Sequence, residues 1–125
     1  MIIEEAFYIK FTELFPGIPL HAILVTSNVT GLNAAYHVLN RGAEFDLFNK
    51  SFMHSITIQV NIMSLDFIEV SKATWQIIEG FELALDTYAA GAPCVQQTII
   101  TSDADGYDFD LATYQSHVQI QIFFN

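Results

Sequence analysis

In the stretch SITIQVNIMS, residues 55–64, the first eight residues alternate without a break. Ile56, Ile58, Val60 and Ile62 fall on one side of an extended chain, and Ser55, Thr57, Gln59 and Asn61 fall on the other. Successive strand side chains point to opposite faces, so this is a strand with one face for a core. The second face is polar but carries no charge. A face open to water usually carries Lys and Glu, whereas charge is depleted at the centre of an interface. We read it as an interface or the wall of an oligomeric ring, with a plain solvated face as the alternative.

Working outward, Asp66 reads as a helix N-cap, with Glu69 three residues on as in a capping box. The helix runs to about residue 84, with Phe67, Val70, Thr74, Ile77, Ile78 and Phe81 as its buried stripe. Gly80 costs that helix about 1 kcal/mol relative to alanine. Trp75 on the same helix is either core or an interface anchor. The loop TYAAGAP follows, and Pro93 leads into VQQTII and then ATYQSHVQIQIFF. Placing the turn at Asp105-Gly106, a common hairpin tip, sets Ile99 opposite Ala112 and Val95 opposite Ser116. Val95, Ile99, Ala112, Tyr114, Val118, Ile120, Ile122 and Phe124 then share one face. Gln96, Thr98, Thr113, Gln115, His117, Gln119 and Gln121 share the other.

Upstream, AEFDLF, NK and SFMHSITIQVNIM read as a hairpin turning near Asn49-Lys50. Residues 2–15 place Ile3, Phe7, Phe11 and Leu14 at helical spacing, Glu4 and Glu5 suit the first turn, and Pro16-Gly17 stops the helix. LHAILVT, residues 20–26, reads as a short strand. Residues 27–42 read either as a short helix closed by Gly42 or as irregular chain, and an extended arm or long loop is expected over about 27–50. The order is helix, strand, hairpin, helix, hairpin. It implies a single α+β domain over 1–125, with a mostly antiparallel sheet, an N-terminal helix and one crossover helix packed on one face.

Composition narrows the function. Of 125 residues, 52% are hydrophobic and only 14% charged, against roughly 25% charged in a typical domain. Much of the surface is therefore uncharged, as on chains covered by a partner. Lys10, Arg41, Lys50 and Lys72 face 14 acidic residues, for a net charge of −10. That argues against gripping nucleic acid or anionic membranes, and suits a surface that DNA slides past. The N-terminal MIIEEAFYIK lacks the basic start of a signal peptide, and no apolar run reaches a membrane span, so a protein assembled in the cytoplasm is expected.

SDADGYDFD, residues 102–110, gathers Asp103, Asp105, Asp108 and Asp110. Aligned as an EF-hand on Gly106, it has Thr101 at position one and Ala112 at position twelve, so both end ligands are missing. In the hairpin register above, Asp103 lies across from Asp108, a like-charge pair that needs a splayed, solvated tip or a bridging cation. The solvated or partner-facing tip is the reading adopted; a calcium-assisted binding module is the alternative. His21, His37, His54 and His117 show no ligand spacing. Cys94 is the sole cysteine and reads as buried. No nucleotide-binding or nucleophile motif occurs, so neither a catalytic residue, a metal site nor a cofactor is expected.

The second half, from about residue 52 to 125, has a recognisable cadence: strand SITIQVNIMS, helix DFIEVSKATWQIIEGF, strand CVQQTII, an Asp-rich turn, and a closing strand. With Asp110, Tyr114, Val118, Ile120 and Ile122 in a D-x-x-x-Y-x-x-x-V-x-I-x-I pattern, it resembles the tail-terminator and tail-completion proteins of long-tailed bacteriophages, including the minor-capsid group. The resemblance implies a structural virion protein in the neck. Such a protein forms a hexameric ring that caps the tail tube, joins it to the head connector or stopper, and lets DNA pass without binding it. Another neck ring protein, stopper or connector, is the near alternative. On this reading Thr57, Gln59, Asn61, Gln96, Thr98, Gln115, His117 and Gln119 are interface residues, and the aspartates face the lumen or a partner.

Overall fold

Two helices and six strands follow one another among the described residues: α1 (Ile3–Leu14), β1 (Leu20–Ala22), β2 (Asn33–Phe45), β3 (Ser51–Ser64), α2 (Phe67–Leu83), β4 (Asp86–Thr87), β5 (Cys94–Asp108) and β6 (Thr113–Phe124). The computed structural model describes residues 1–22, 31–45, 51–83, 86–109 and 112–125. The strands form one sheet in the order β1-β2-β3-β6-β5-β4. β1 pairs parallel with β2, and every other pairing is antiparallel. β3 and β5 both run antiparallel to β6 between them, so they are parallel to each other. α2 makes the crossover that joins them. The expected α+β fold is the one observed.

The aliphatic face of β3 is the floor of the core. Ile56, Ile58, Val60 and Ile62 are buried beside Val118, Ile120 and Ile122 of β6. Val70, Ala73, Thr74, Ile77, Ile78 and Phe81 of α2 are buried too. Phe67, expected in that stripe, is exposed instead, because it lies at the helix start against Tyr114 of the hairpin. Asp66 caps α2 as expected: its Oδ1 accepts from the Ile68 amide at 3.0 Å. The Asp66 amide donates to Ser64 Oγ, so Ser64 does the work expected of Glu69.

α1 and α2 meet through aromatic rings. Phe7 stacks on Phe81 at 5.1 Å, and Phe11 and Phe15 meet edge-on at 5.0 Å. Gly80 lets them close. A Cβ there would stand 2.5 Å from Phe15 Cζ. The glycine that weakens the helix locally is therefore what allows the Phe15 ring its place. Leu14 is only half-buried, and Ala6 takes part in the buried face instead. Cys94, at the start of β5, is exposed and not buried.

Residues 33–45 are neither a helix nor an arm. They form β2, antiparallel to β3 and closing the expected hairpin with Phe45 opposite Ser51. Ala34, Tyr36 and Val38 sit opposite Ile62, Val60 and Ile58. A bulge at Leu39 then reverses the alternation, so Arg41 rather than Asn40 comes opposite Ile56. One extra residue scrambles a period-two pattern, and Ala is a weak strand former, which hid this strand. Within LHAILVT, only Leu20–Ala22 is described as strand. Residues 23–30 and the hairpin turn at 46–50 lie outside the described residues.

The C-terminal hairpin turns later than Asp105-Gly106. Gly106 lies within β5 opposite Gln115, and the last pair is Asp108 with Thr113. The pairing therefore continues past Gly106 to Asp108, and Ala112, just before the partner strand, takes a positive φ of 51°. The Tyr107–Tyr114 ring contact at 5.0 Å ties the ladder past the Asp-Gly step. Val95 pairs with Phe124 and Ile99 with Gln121, not with Ser116 and Ala112.

Candidate functional site

The two helices cover one face of the sheet, and among the described residues no helix lies on the other, where Ala35, Thr57 and Met63 are nonetheless buried. On that open face the strands stack matching rows. Asn40, Thr57 and Gln121 form one, His37, Gln59 and Gln119 the next, and Ala35, Asn61 and His117 a third. Asn33, Met63 and Gln115 form a fourth, with Gly106 beyond. None of these positions carries a charged side chain. Six of the expected interface residues, Thr57, Gln59, Asn61, Gln115, His117 and Gln119, are brought together here.

The side chains are bonded to one another across the strands. Gln59 Nε2 donates to Asn61 Oδ1 at 2.8 Å, and Gln119 Nε2 donates to Gln59 Oε1 at 3.3 Å. His117 Nδ1 lies 2.6 Å from the same Asn61 oxygen. An amide oxygen only accepts, so Nδ1 carries a proton. The 3.5 Å approach of Gln59 Nε2 to that Nδ1 is then a packing contact. At the hairpin end Gln115 Nε2 donates to Asp108 Oδ2 at 3.2 Å. The ladder holds long, flexible amides in one arrangement.

Two expected members are elsewhere. Bulges at Gln96 and Thr101 shift the β5 alternation twice. Thr98 thereby comes opposite Ile122 on the helix side, where its Oγ1 meets the Tyr88 hydroxyl at 2.6 Å. Burial raises the Tyr88 pKa above 10.0, partly offset by that bond. Tyr36 is raised as well, first by burial and then by the nearby Tyr8 and Glu4. Gln96 sits in its bulge and donates to Asn125 Oδ1 at the strand end. Ile99, placed among the core residues by sequence, takes Thr98's place on the open side, opposite Gln121.

The same shifts separate the aspartates. Asp103 comes opposite Val118 in the register, and Asp105 comes opposite Ser116 on the helix side, whereas Asp108 comes opposite Thr113 on the open side. Asp103 therefore does not oppose Asp108, and the like-charge pair that called for a bridging cation is absent. Asp110 lies outside the described residues. No group of three or more His, Cys, Asp or Glu is placed to hold a metal among the described residues.

Sequence reasoning missed the β2 and β1 contributions. His37 and Asn40 join the open face through the β2 register, and His21 Nε2 lies 3.3 Å from Asn33 Oδ1 beside it. The signal that would have found them is the parity of Ala34, Tyr36 and Val38, broken by the bulge. Trp75, left open by sequence, is 62% exposed and no part of the core.

No family model matches the chain, and no curated protein matches it. Among the described residues no helix is long and apolar enough to cross a membrane.

Proposed function

We propose that this protein is a structural subunit of a phage neck: a tail-terminator or tail-completion protein that assembles into a hexameric ring, caps the tail tube and joins it to the head connector. The observation that carries the reading is the open sheet face, a wide bonded array of amides, hydroxyls and imidazoles whose central rows carry no charged side chain, with Asp108 at its hairpin end. A face meant only for water has no reason to exclude Lys and Glu, whereas charge is depleted at interface cores.

The order of elements supports the same reading. From about residue 52 to 125, a strand, a crossover helix and a closing hairpin follow the cadence of that family, and Val118, Ile120 and Ile122 of the terminal motif are core residues of the last strand. The charge supports it too. Six copies of a chain with net charge −10 make a wall that repels DNA and lets it slide through. No chemical step is assigned to the protein, and its location would be the virion neck, after assembly in the host cytoplasm.

Light scattering together with negative-stain imaging, with and without purified tail tubes, tests the proposal. Six-fold rings seated on tube ends are expected. A chain that stays monomeric with tubes present would count decisively against it, and rings that bind only the head connector would reassign it as a stopper.

A further inference from the structure

The β5–β6 hairpin ends in a cluster of exposed aromatic rings. Tyr107 meets Phe109 edge-on at 4.9 Å and Tyr114 at 5.0 Å, and Tyr114 meets Phe67 at 5.7 Å. Phe109 is 87% exposed. At the other end of the same strands Ile2, Ile3, Ile56, Pro93 and Phe124 line an open apolar hollow of about 330 Å³. An apolar cavity of about 150 Å³ is enough for a benzene ring, so the hollow has room for a phenyl group. Tip and hollow stand at opposite ends of β6, about 36 Å apart at about 3.3 Å per residue. The tip therefore cannot fill its own hollow.

Charge selects the occupant. The tip is flanked by Asp105 and Asp108, and the rim of the hollow carries Arg41. Glu4 Oε1 accepts from Arg41 Nε and Nη2 at 3.1 and 3.0 Å, and Nη1 has no partner among the described residues. The Arg41 side chain is 67% exposed. In a chain with so few cations, a guanidinium held upright by Glu4 beside an apolar hollow complements an aromatic tip flanked by carboxylates.

We propose that the tip of one copy seats in the hollow of the next, head to tail, with Phe109 entering the cavity and Asp105 meeting Arg41. Unlike patches on one chain make a heterologous contact, which closes into a ring or runs on as a filament. The proposal rests on the ring reading and supplies its subunit contact, while the open sheet face is left to form the ring's wall.

Two variants test it by complementation. Phe109→Ser spoils the tip at an exposed position. Ile2→Asp puts a carboxylate into the hollow, and the α1 N-cap it occupies has no side-chain bond and favours Asp. By sedimentation velocity, each variant alone should lose the oligomer, with the dissociation constant raised about 30-fold, as for loss of a hot-spot residue. Mixed in equal amounts, they retain one intact contact, between the Ile2→Asp tip and the Phe109→Ser hollow, and should give one-to-one dimers and nothing larger. Oligomers unchanged in both variants, or a mixture that stays monomeric, would overturn the contact and leave the ring reading standing. Dimers in the mixture with wild-type filaments that never close would uphold the contact and overturn the ring.

Discussion

The two faces of β3 differ by one residue of phase and by everything in environment. Ile58 is fully buried under the helices, while Gln59, its neighbour, lies on the open side and bonds to Asn61 and Gln119. The covered face derives its stability from apolar area removed from water. The open face contributes amide bonds whose net worth is small wherever water can replace them. One side of the sheet holds the fold together; the other contributes little to it.

The widest separation between the faces comes from adjacent truncations. Ile58→Ala should cost about 2–5 kcal/mol in chemical denaturation, the range for a buried aliphatic side chain. A loss near that for a surface site would mean that the helices do not pack on β3 as described.

Thr98→Val tests whether a polar group on the covered side is as necessary as it looks. It leaves the buried Tyr88 hydroxyl without its partner, and a loss of about 1–3 kcal/mol is expected. Tyr88 also gives a pH signature. Its folded-state pKa is raised above 10.0, chiefly by burial, so the folded state keeps a proton that the unfolded chain releases. That contribution is fully present below pH 10 and is lost as pH rises through the folded-state value. Tyr88→Phe should flatten the alkaline unfolding profile without abolishing its slope, because Tyr36 is raised as well.

Gly80→Ala sharpens the account of how the helices meet. Helix propensity alone predicts a gain of about 1 kcal/mol. The approach to Phe15 predicts overpacking worth about 1–3 kcal/mol, so a net loss of about 1 is expected by thermal melting. A stabilised variant would show that the Phe15 ring yields freely.

Ser116 is the mirror case, a buried hydroxyl on the helix side with no hydrogen-bond partner among the described residues. Ser116→Ala should raise stability, by up to about 1 kcal/mol, since it removes an unmet polar atom. The smallest effect belongs to the open face. Gln59→Ala should change monomer stability by no more than about 0.5 kcal/mol, as surface changes usually do. The same variant should leave the oligomer unaltered by light scattering, since the subunit contact is assigned to tip and hollow; a weakened oligomer would make the open face the subunit contact instead.

Most of the fold was legible where the alternation was clean. Ile56 to Ile62 and Val118 to Ile122 declared their face, and Asp66 declared the start of α2, because period two and a cap are local properties. The site was legible to the same extent: Thr57, Gln59, Asn61, Gln115, His117 and Gln119 were placed by parity alone. What was lost sits next to bulges. One extra residue at Leu39 hid β2 and with it His37 and Asn40; extra residues at Gln96 and Thr101 exchanged Thr98 with Ile99 and split the aspartates between faces. A bulge is invisible in a single strand because it exists only relative to the partner's register.

By itself, then, the sequence determined the class of fold, the aliphatic floor of the core and the charge-free character of the strands' second face, all set by residue type and local period. Tertiary structure decided the rest. It carried the pairing past Asp105-Gly106 to Asp108, because the Tyr107–Tyr114 contact extends it. It turned Gly80 from a weakness into a point of close approach to Phe15. It also set an aromatic tip and an apolar hollow at opposite ends of one hairpin, a relation between residues far apart in the chain that only the strand register creates.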